Sequence, residues 1–254
     1  MFSGRALSSC RCRPLSSNVR PHIQTTVHYI RRAVLLSLLA PLIAHAAESV
    51  CFGRTSNGRL EGGVRLPAEG PNFTPYSSLA RAAGRTYVHS RVAKVIEESY
   101  AALEKALPNT VFVYGETGWR NGGRFRPHRT HQNGLSVDFF VPVLDQAGRS
   151  VPIPTSPTTR FGYDLEFNAA AKLDDLQIDF VALAEHLYQL DVAARKNKAP
   201  ITLVIFDPVY LDRLFATPRG NQIRSLPFMK GKPWVRHDEH IHVDFSVPCR
   251  PLQP

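Results

Sequence analysis

The sequence predicts an α+β domain in which helices pack on a small, mainly antiparallel sheet of about four strands. Helix and strand signals alternate along the chain, and no internal repeat is present. Removing a predicted signal peptide, residues 1–46, from the 254-residue chain leaves 208 residues, which is enough for one domain with its own core. We therefore expect a single domain over residues 47–254.

The N-terminal segment, residues 1–46, has the pattern of a secretory signal peptide. A 12-residue apolar run at 33–44 follows two arginines and precedes Ala44-His45-Ala46, so cleavage is expected after Ala46 or Ala47. The run is too short for a membrane span, which needs about 20 apolar residues. The basic region before it is long, and either a true start near Val27 or a transit peptide would explain this. We expect an exported protein without a stable membrane span after cleavage.

Charge and cysteine content limit the partners of the mature chain. The net charge falls from +10 to +4 on cleavage, because residues 1–46 contain six arginines and no acidic residue. No run of Lys and Arg is interleaved with aromatics, so nucleic acid is not an expected partner. A mild positive surplus suits an anionic polymer such as peptidoglycan, but it also suits no particular partner. In an oxidising compartment, Cys51 and Cys249 are expected to form a disulfide bond.

Composition and periodicity predict the elements of the mature chain. Residues 48–80 are rich in Gly, Pro, Ser and Asn and predict an irregular N-terminal segment, whereas the apolar spacing at 90–106 predicts an amphipathic helix. The other predicted elements are strands at 110–115, 135–143, 201–206 and 240–247, a helix from Asp174 or Asp175 to about 194, and a short helix at 208–215. The Pro- and Thr-rich loop at 148–162 has the length of loops that cover a site.

Histidines are concentrated in two short motifs. Residues 128–138 read His-Arg-Thr-His-Gln-Asn-Gly-Leu-Ser-Val-Asp, and residues 237–242 read His-Asp-Glu-His-Ile-His. Side chains alternate between the faces of a strand, so His240, His242 and Asp244 point the same way. One of the two imidazoles can therefore bind a metal ion while the other lies over its open coordination position.

The first motif supplies the rest of a predicted metal site. Asp138 lies in an apolar strand, where a carboxylate must be paired, hydrogen-bonded or bound to a metal. His131 ends a loop, and Gly134 permits a sharp turn before the strand. Two histidines and one aspartate supply three ligands and leave a fourth position for water, which predicts a catalytic zinc site in a cleft on the sheet.

Other residues and several absent motifs narrow the interpretation. His89 and His186 are isolated, and His186 beside Glu185 is expected at the surface of a helix. Glu239 should point away from the face of His240, so we expect a solvated surface residue in preference to a general base. The chain contains no His-Glu-x-x-His, Ser-x-x-Lys, Lys-Thr-Gly or Gly-rich phosphate loop. These absences argue against zincins and against the serine enzymes that β-lactams acylate.

The two histidine motifs resemble those of the penicillin-insensitive murein endopeptidases. His-x6-Asp followed by His-x-His is the signature of the fold group that joins lysostaphin-type peptidases, D-Ala-D-Ala metallopeptidases and hedgehog signalling domains. The similarity covers most of residues 50–250. The further similar stretches are Ser56-Asn57-Gly58, Gly122-Gly123-Arg124-Phe125 and Pro233-Trp234-x-x-His237-x-x-His240-x-His242-Val243.

The resemblance implies a role for each residue of the two motifs. It implies zinc ligation by His131, Asp138 and His242, a general base in His240, and supporting roles for His128 and His237. It also implies a periplasmic enzyme that cleaves the bond between D-alanine and meso-diaminopimelate that cross-links peptidoglycan stem peptides. Family members carry an Asp and a His after the first motif that can hold a second metal, but residues 161–175 contain no histidine. We therefore expect one zinc ion. We expect His128 to lie next to the ligands without binding the metal itself.

The sequence allows more than one interpretation of the substrate-binding residues and of the function. Arg124 and Arg126 are candidates for binding stem-peptide carboxylates, with ordinary surface arginines as the other interpretation. In the predicted reaction His240 takes a proton from the attacking water and returns it to the leaving amine. A D-Ala-D-Ala carboxypeptidase or dipeptidase and a non-catalytic, zinc-stabilised peptidoglycan-binding domain are the two alternative functions. A basic binding protein without a metal is a third.

Overall fold

The computed structural model describes residues 47–253 of the chain. The predicted signal peptide, residues 1–46, lies outside these described residues. Within residues 47–253, no helix is long and apolar enough to cross a membrane.

The described residues form short strands and helices in the mixed order that the sequence predicts. The strands are β1 (Val50–Arg54), β2 (Asn57–Glu61), β3 (Val64–Arg65), β4 (Phe73–Pro75), β5 (Tyr87–Val88), β6 (Phe112–Tyr114), β7 (Ser136–Phe140), β8 (Val143–Leu144), β9 (Ser150–Val151), β10 (Lys172–Leu173), β11 (Leu176–Ile178), β12 (Ile201–Ile205) and β13 (His240–Phe245). The helices are α1 (Ser78–Ala82), α2 (Ser90–Ala106), α3 (Phe180–Lys196), α4 (Leu211–Phe215) and α5 (Gly220–Ile223), with 3-10 helices at Pro157–Gly162 and Pro208–Tyr210.

One five-stranded sheet, in the order β12-β13-β7-β6-β4, organises the described residues. The four predicted strands are β6, β7, β12 and β13, and they pair antiparallel, whereas β4 joins β6 in parallel at the edge. The α+β class with a mainly antiparallel sheet is confirmed. In the register of β13 and β7, His242 lies directly opposite Asp138. The pairing of these two strands therefore brings together motifs that are about a hundred residues apart in the chain.

The helices α2 and α3 pack on each other and cover one face of this sheet. Their buried apolar side chains include Val95, Tyr100 and Leu187. The ring of Phe139, which points away from the face of Asp138, lies 4.9 Å from the ring of His186 on α3. The opposite face of β7 and β13 is left for the polar side chains of the two histidine motifs.

Two predictions about α3 are wrong. The helix begins at Phe180, and Asp179 caps it by accepting a hydrogen bond from the amide of Ala182 at 2.9 Å. The predicted caps, Asp174 and Asp175, instead form the turn between β10 and β11. His186, expected at the helix surface, is only 1% exposed, because it lies on the face of α3 that packs against the sheet.

The N-terminal segment is more regular than its composition predicts. A hairpin of β1 and β2 occupies residues 50–61, and β4 supplies the fifth strand of the main sheet. The predicted disulfide bond between Cys51 and Cys249 is present, with a Cα–Cα distance of 4.8 Å. It joins β1 to the C-terminal segment, where the amide of Arg250 donates to the carbonyl of Cys51 at 2.9 Å. The two ends of the described domain are thus tied together.

Candidate metal centre

Asp138 lies at the centre of the polar cluster on the open face of the sheet. It is completely buried, and its Oδ1 lies 2.8 Å from Nδ1 of His242 on the neighbouring strand β13. Gly115 makes room for it, since a Cβ there would lie 3.0 Å from the Cβ of Asp138. A buried carboxylate needs a cation or several hydrogen bonds to offset its lost hydration.

His131 reaches Asp138 from the loop before β7. Its backbone is left-handed, with φ 66°, and the chain turns back into the strand at Gly134, with φ 77°. Nδ1 of His131 lies 3.1 Å from the carbonyl oxygen of Thr117, which fixes the proton on Nδ1 because a carbonyl only accepts. Nε2 therefore carries a lone pair, and it lies 3.3 Å from Oδ1 of Asp138.

The Nε2 atom of His131 provides a test of whether a metal ion fits this cluster. The atom is buried and forms no hydrogen bond with any described residue. Two electron-rich atoms, this nitrogen and Oδ1 of Asp138, thus lie next to each other and are both buried. Their separation is close to the roughly 3.3 Å between two ligands bound at about 2.0–2.1 Å in a tetrahedral zinc site. The donor set of imidazole nitrogen and carboxylate oxygen fits a divalent metal ion.

His128 also belongs to the cluster. Its Nδ1 lies 3.7 Å from Oδ2 of Asp138, and its Nε2 lies 2.6 Å from Oε2 of Glu116. The ligand atoms of His128, His131 and Asp138 lie within 4.8 Å of one another, so this group could hold a metal ion. The rings of His131 and His242 are 4.9 Å apart, and both imidazoles contact Oδ1 of Asp138.

Carboxylates on both sides of His242 control its charge. Its Nε2 lies 3.0 Å from Oδ1 of Asp244, which in turn accepts a hydrogen bond from the Ser136 hydroxyl at 2.5 Å. Burial would lower the pKa of His242, but its hydrogen bonds to Asp138 and Asp244 outweigh burial and raise the pKa to about 10. The pKa of Asp138 is held well below its usual value by the imidazoles, despite its burial. Without a metal ion, an imidazolium at His242 balances the buried carboxylate.

His240 lies two residues before His242 on β13 and borders the same cleft, as the strand alternation predicts. Its Nδ1 lies 2.8 Å from Oε1 of Glu239, and both side chains are buried. Burial lowers the pKa of His240 to about 4, so the imidazole is neutral near pH 7.

The expectation that Glu239 is a solvated surface residue is wrong. The residue is only 3% exposed, and burial raises its pKa to about 8. It precedes the first residue of β13, so strand alternation does not fix its direction. His237, predicted as a supporting residue, lies in the cleft with its ring 4.6 Å from that of His240.

The cleft above the cluster has a volume of about 780 Å³. The predicted covering loop borders it through the 3-10 helix Pro157–Gly162, in which Arg160 and Phe161 are left-handed. Tyr163 follows this helix and donates a hydrogen bond from its hydroxyl to Oδ2 of Asp138 at 3.0 Å. The loop therefore shapes the cleft and is tied to the buried carboxylate of Asp138.

The two candidate substrate arginines lie on one side of this cleft, and both are exposed. Arg126 borders the cleft and also an adjoining pocket of about 800 Å³, whereas Arg124 borders only the adjoining pocket. Neither forms a salt bridge with another of the described residues. Arg129 lines both spaces too, and its guanidinium lies 5.6 Å from the ring of the exposed Trp234.

Sequence reasoning missed two residues that contact the cluster. Tyr163 carries no motif signal, because its importance depends on how the covering loop folds back onto Asp138. Glu116 follows a predicted buried strand, and an acidic residue at the end of such a strand was the one available signal. It is 6% exposed and accepts hydrogen bonds from Tyr76, Arg85 and His128. Burial raises its pKa, but His128 and Arg85 outweigh this and lower it to about 2.

The fold and this cluster define the class of protein. An α+β domain contains a group of two histidines and an aspartate that could hold a metal ion, and His128 of this group borders the cleft. The sequence model of a family described as penicillin-insensitive murein endopeptidase matches residues 51–252, so the chain belongs to this family. Membership points to murein endopeptidase activity on peptidoglycan. No curated protein matches the chain significantly.

Proposed function

We propose that this protein is a zinc-dependent endopeptidase that hydrolyses the D-alanine to meso-diaminopimelate cross-links of peptidoglycan. The observation that carries the proposal is the bare, buried Nε2 of His131 facing Oδ1 of Asp138. A cation between these atoms would give Nε2 of His131 the partner it lacks among the described residues and would offset the charge of the carboxylate. The family match supports the peptidoglycan substrate, and the cleft above the cluster offers room for a stem peptide.

His131, Asp138 and His242 are the proposed ligands. Each has a second partner that orients it: the Thr117 carbonyl for His131, the Tyr163 hydroxyl for Asp138, and the Asp244 carboxylate for His242. Bound zinc would polarise the scissile carbonyl and make an attacking water more acidic. One ion is proposed, because residues 161–175, where the resemblance would place an Asp and a His for a second metal, contain no histidine.

His240 is the proposed general base. Its imidazole is neutral near pH 7, borders the cleft and lies on the same strand face as His242. With Nδ1–H donated to Glu239, its Nε2 would be free to take a proton from the attacking water and later give it to the leaving amine. His128 and His237 flank the cleft as supporting residues.

The exposed arginines are proposed to bind the carboxylates of the stem peptide. Arg126 stands between the cleft and the adjoining pocket, so it can contact a peptide that extends from one into the other. Arg124 can contact only the part that lies in the adjoining pocket. A guanidinium without a salt-bridge partner among the described residues is available for a carboxylate.

The proposed location is the periplasm. The family acts on murein, and the disulfide bond between Cys51 and Cys249 suits an oxidising compartment outside the cytoplasm. The predicted signal peptide would direct this export.

Digestion of cross-linked muropeptides tests the proposal directly. The purified chain without residues 1–46 is incubated with cross-linked dimers, with and without chelator, and with penicillin as a control. We expect monomers to appear, chelator to abolish them, and penicillin to have no effect. Release of only a terminal D-alanine would favour a carboxypeptidase, and binding without any product would favour the non-catalytic alternative.

A further inference from the structure

We propose that Glu116 is a positioning residue of the metal centre, which fixes the ring of His128 so that its Nδ1, the nitrogen next to Asp138, keeps a lone pair. This inference rests on the proposed metal-dependent function and adds a residue that neither histidine motif contains. Glu116 does not reach the metal ligands directly through its carboxylate. It acts through the ring of His128.

The contacts of the Glu116 carboxylate determine which nitrogen of His128 carries a proton. Its Oε2 lies 2.6 Å from Nε2 of His128, and its Oε1 accepts from the Tyr76 hydroxyl at 2.7 Å. Arg85 contacts both oxygens, with its Nη2 3.0 Å from Oε2. A carboxylate held by a guanidinium fork in a buried site is ionised and can only accept hydrogen bonds. Nε2 of His128 therefore carries a proton, which leaves Nδ1 as the nitrogen of this ring that can bind a metal ion.

The proton on one nitrogen of the His128 ring determines the state of the other nitrogen. With the proton on Nε2, the Nδ1 of His128 carries a lone pair, and this nitrogen lies 3.7 Å from Oδ2 of Asp138. The opposite tautomer would direct an N–H group at the carboxylate of Asp138 instead. Carboxylates in this position behind a histidine commonly set its tautomer and raise its basicity.

The backbone of Glu116 also restrains Asp138. The carbonyl of Glu116 accepts from the Asp138 amide at 3.0 Å, and the amide of Glu116 donates to the Tyr163 hydroxyl at 2.9 Å. That hydroxyl donates to Oδ2 of Asp138. Arg85 further donates to the carbonyl of Arg126 at 2.8 Å, which anchors the loop that carries His128. The position is thus built to hold both His128 and Asp138.

The substitution Glu116→Gln tests the role of the carboxylate with little change in shape. Oε1 accepts from Tyr76 and Nε of Arg85, and Oε2 accepts from His128 and Nη2 of Arg85. Because the ring of His128 can change from donor to acceptor by moving its proton, we expect the amide oxygen on the side of Oε1. The amide NH₂ would then face His128, which must accept through Nε2 and place its proton on Nδ1. We expect zinc affinity, measured by competition with a chromophoric chelator, to fall about 10- to 100-fold. We also expect kcat to fall with little change in KM.

The matched control is Glu185→Gln. Glu185 also forms a largely buried, two-point ion pair, with Arg219 at 2.6 and 3.2 Å, but it lies on α3, on the other side of the sheet. Both variants are expected to lower the melting temperature of the metal-free protein. Only Glu116→Gln is expected to weaken zinc binding. Unchanged zinc affinity in a folded Glu116→Gln protein would overturn the inference.

Two further variants keep the test decisive. If Glu116→Gln does not fold, Tyr76→Phe removes one donor to the carboxylate and should weaken zinc binding several-fold, whereas unchanged affinity would refute the role. In a His128→Ala background, Glu116→Gln should cause no additional loss of zinc affinity, and an additive loss would show that Glu116 does not act through His128. A wild-type protein that binds no zinc would instead refute the proposed function itself.

Discussion

At the scale of single residues, the centre is organised by what surrounds one carboxylate. Asp138 is contacted by the imidazoles of His131 and His242 on Oδ1 and by Tyr163 on Oδ2. Two of these contacts come from outside the first histidine motif. The division of roles between His240 and His242 rests on their different neighbours, since only His242 reaches Asp138.

Replacing each of these two histidines separately should give different results. His242→Ala removes a proposed ligand, so activity and bound zinc should both be lost. His240→Ala removes the proposed base, so the turnover rate should fall by about 100-fold or more while most of the zinc remains bound. Zinc content by atomic absorption and hydrolysis of muropeptides measure the two effects. Equal loss of zinc in both variants would show that the assigned roles are wrong.

His186 gives a residue-scale prediction that is independent of the metal. The ring is completely buried among Tyr100, Phe112 and Phe139, and neither of its nitrogens forms a hydrogen bond with a described residue. Burial lowers its pKa from 6.5 to about 3. The imidazole of His186 therefore takes up a proton near pH 6.5 in the unfolded chain, but only near pH 3 in the folded chain. Burial of His186 therefore lowers the free energy of unfolding as the pH falls from 6.5 to about 3.

The substitution His186→Leu should remove this pH-dependent loss. The wild-type free energy of unfolding is expected to fall by about 1.4 kcal/mol per pH unit below 6.5 through this residue alone. At pH 4.5 the variant should therefore be stabilised relative to wild type by about 2–3 kcal/mol more than at pH 7.5. Urea denaturation at the two pH values measures the difference. If the two proteins differed in free energy of unfolding by the same amount at both pH values, the buried His186 would not be the cause of the loss at low pH.

At the scale of elements, periodicity located the long helices and strands. It failed where tertiary contacts determine the end of an element. The helix at Ser90–Ala106 was predicted with its observed bounds, because its apolar spacing is regular and its buried face includes Val92, Val95 and Ile96. The start of α3 was misplaced, because Asp174, Asp175 and Asp179 all have a residue type that caps helices. Only the pairing of β10 with β11 distinguishes them, and sequence alone does not reveal it.

The candidate site was predictable to the extent that residue chemistry and strand alternation determine it. Alternation placed His240 and His242 on one face, and burial of Asp138 followed from its apolar neighbours. The contact between Tyr163 and Asp138 depends on how a long loop folds, which no periodicity determines. Glu239 was misjudged for a related reason: it lies just before β13, where the alternation of side chains does not yet hold.

At the scale of the whole molecule, the main sheet separates a helical core from the proposed centre. The histidine motifs meet only when β7 and β13 pair, so the centre cannot form without the sheet. Bound metal should therefore stabilise the folded chain, since the unfolded chain has no preformed site. The ends of the domain are held by Cys51 and Cys249, which are separated by 198 positions in the sequence.

Removing the disulfide bond should lower the stability of this domain substantially. A cross-link across so long a loop restricts the unfolded chain, and its loss typically costs about 2–5 kcal/mol. The double variant Cys51→Ser/Cys249→Ser should therefore unfold at lower urea concentration. Its unfolding should also depend more steeply on urea, because an unfolded chain without the cross-link exposes more surface. Wild-type protein kept reduced serves as the control and should match the variant. An unchanged midpoint in both would mean that the sheet alone holds the two ends of the domain together.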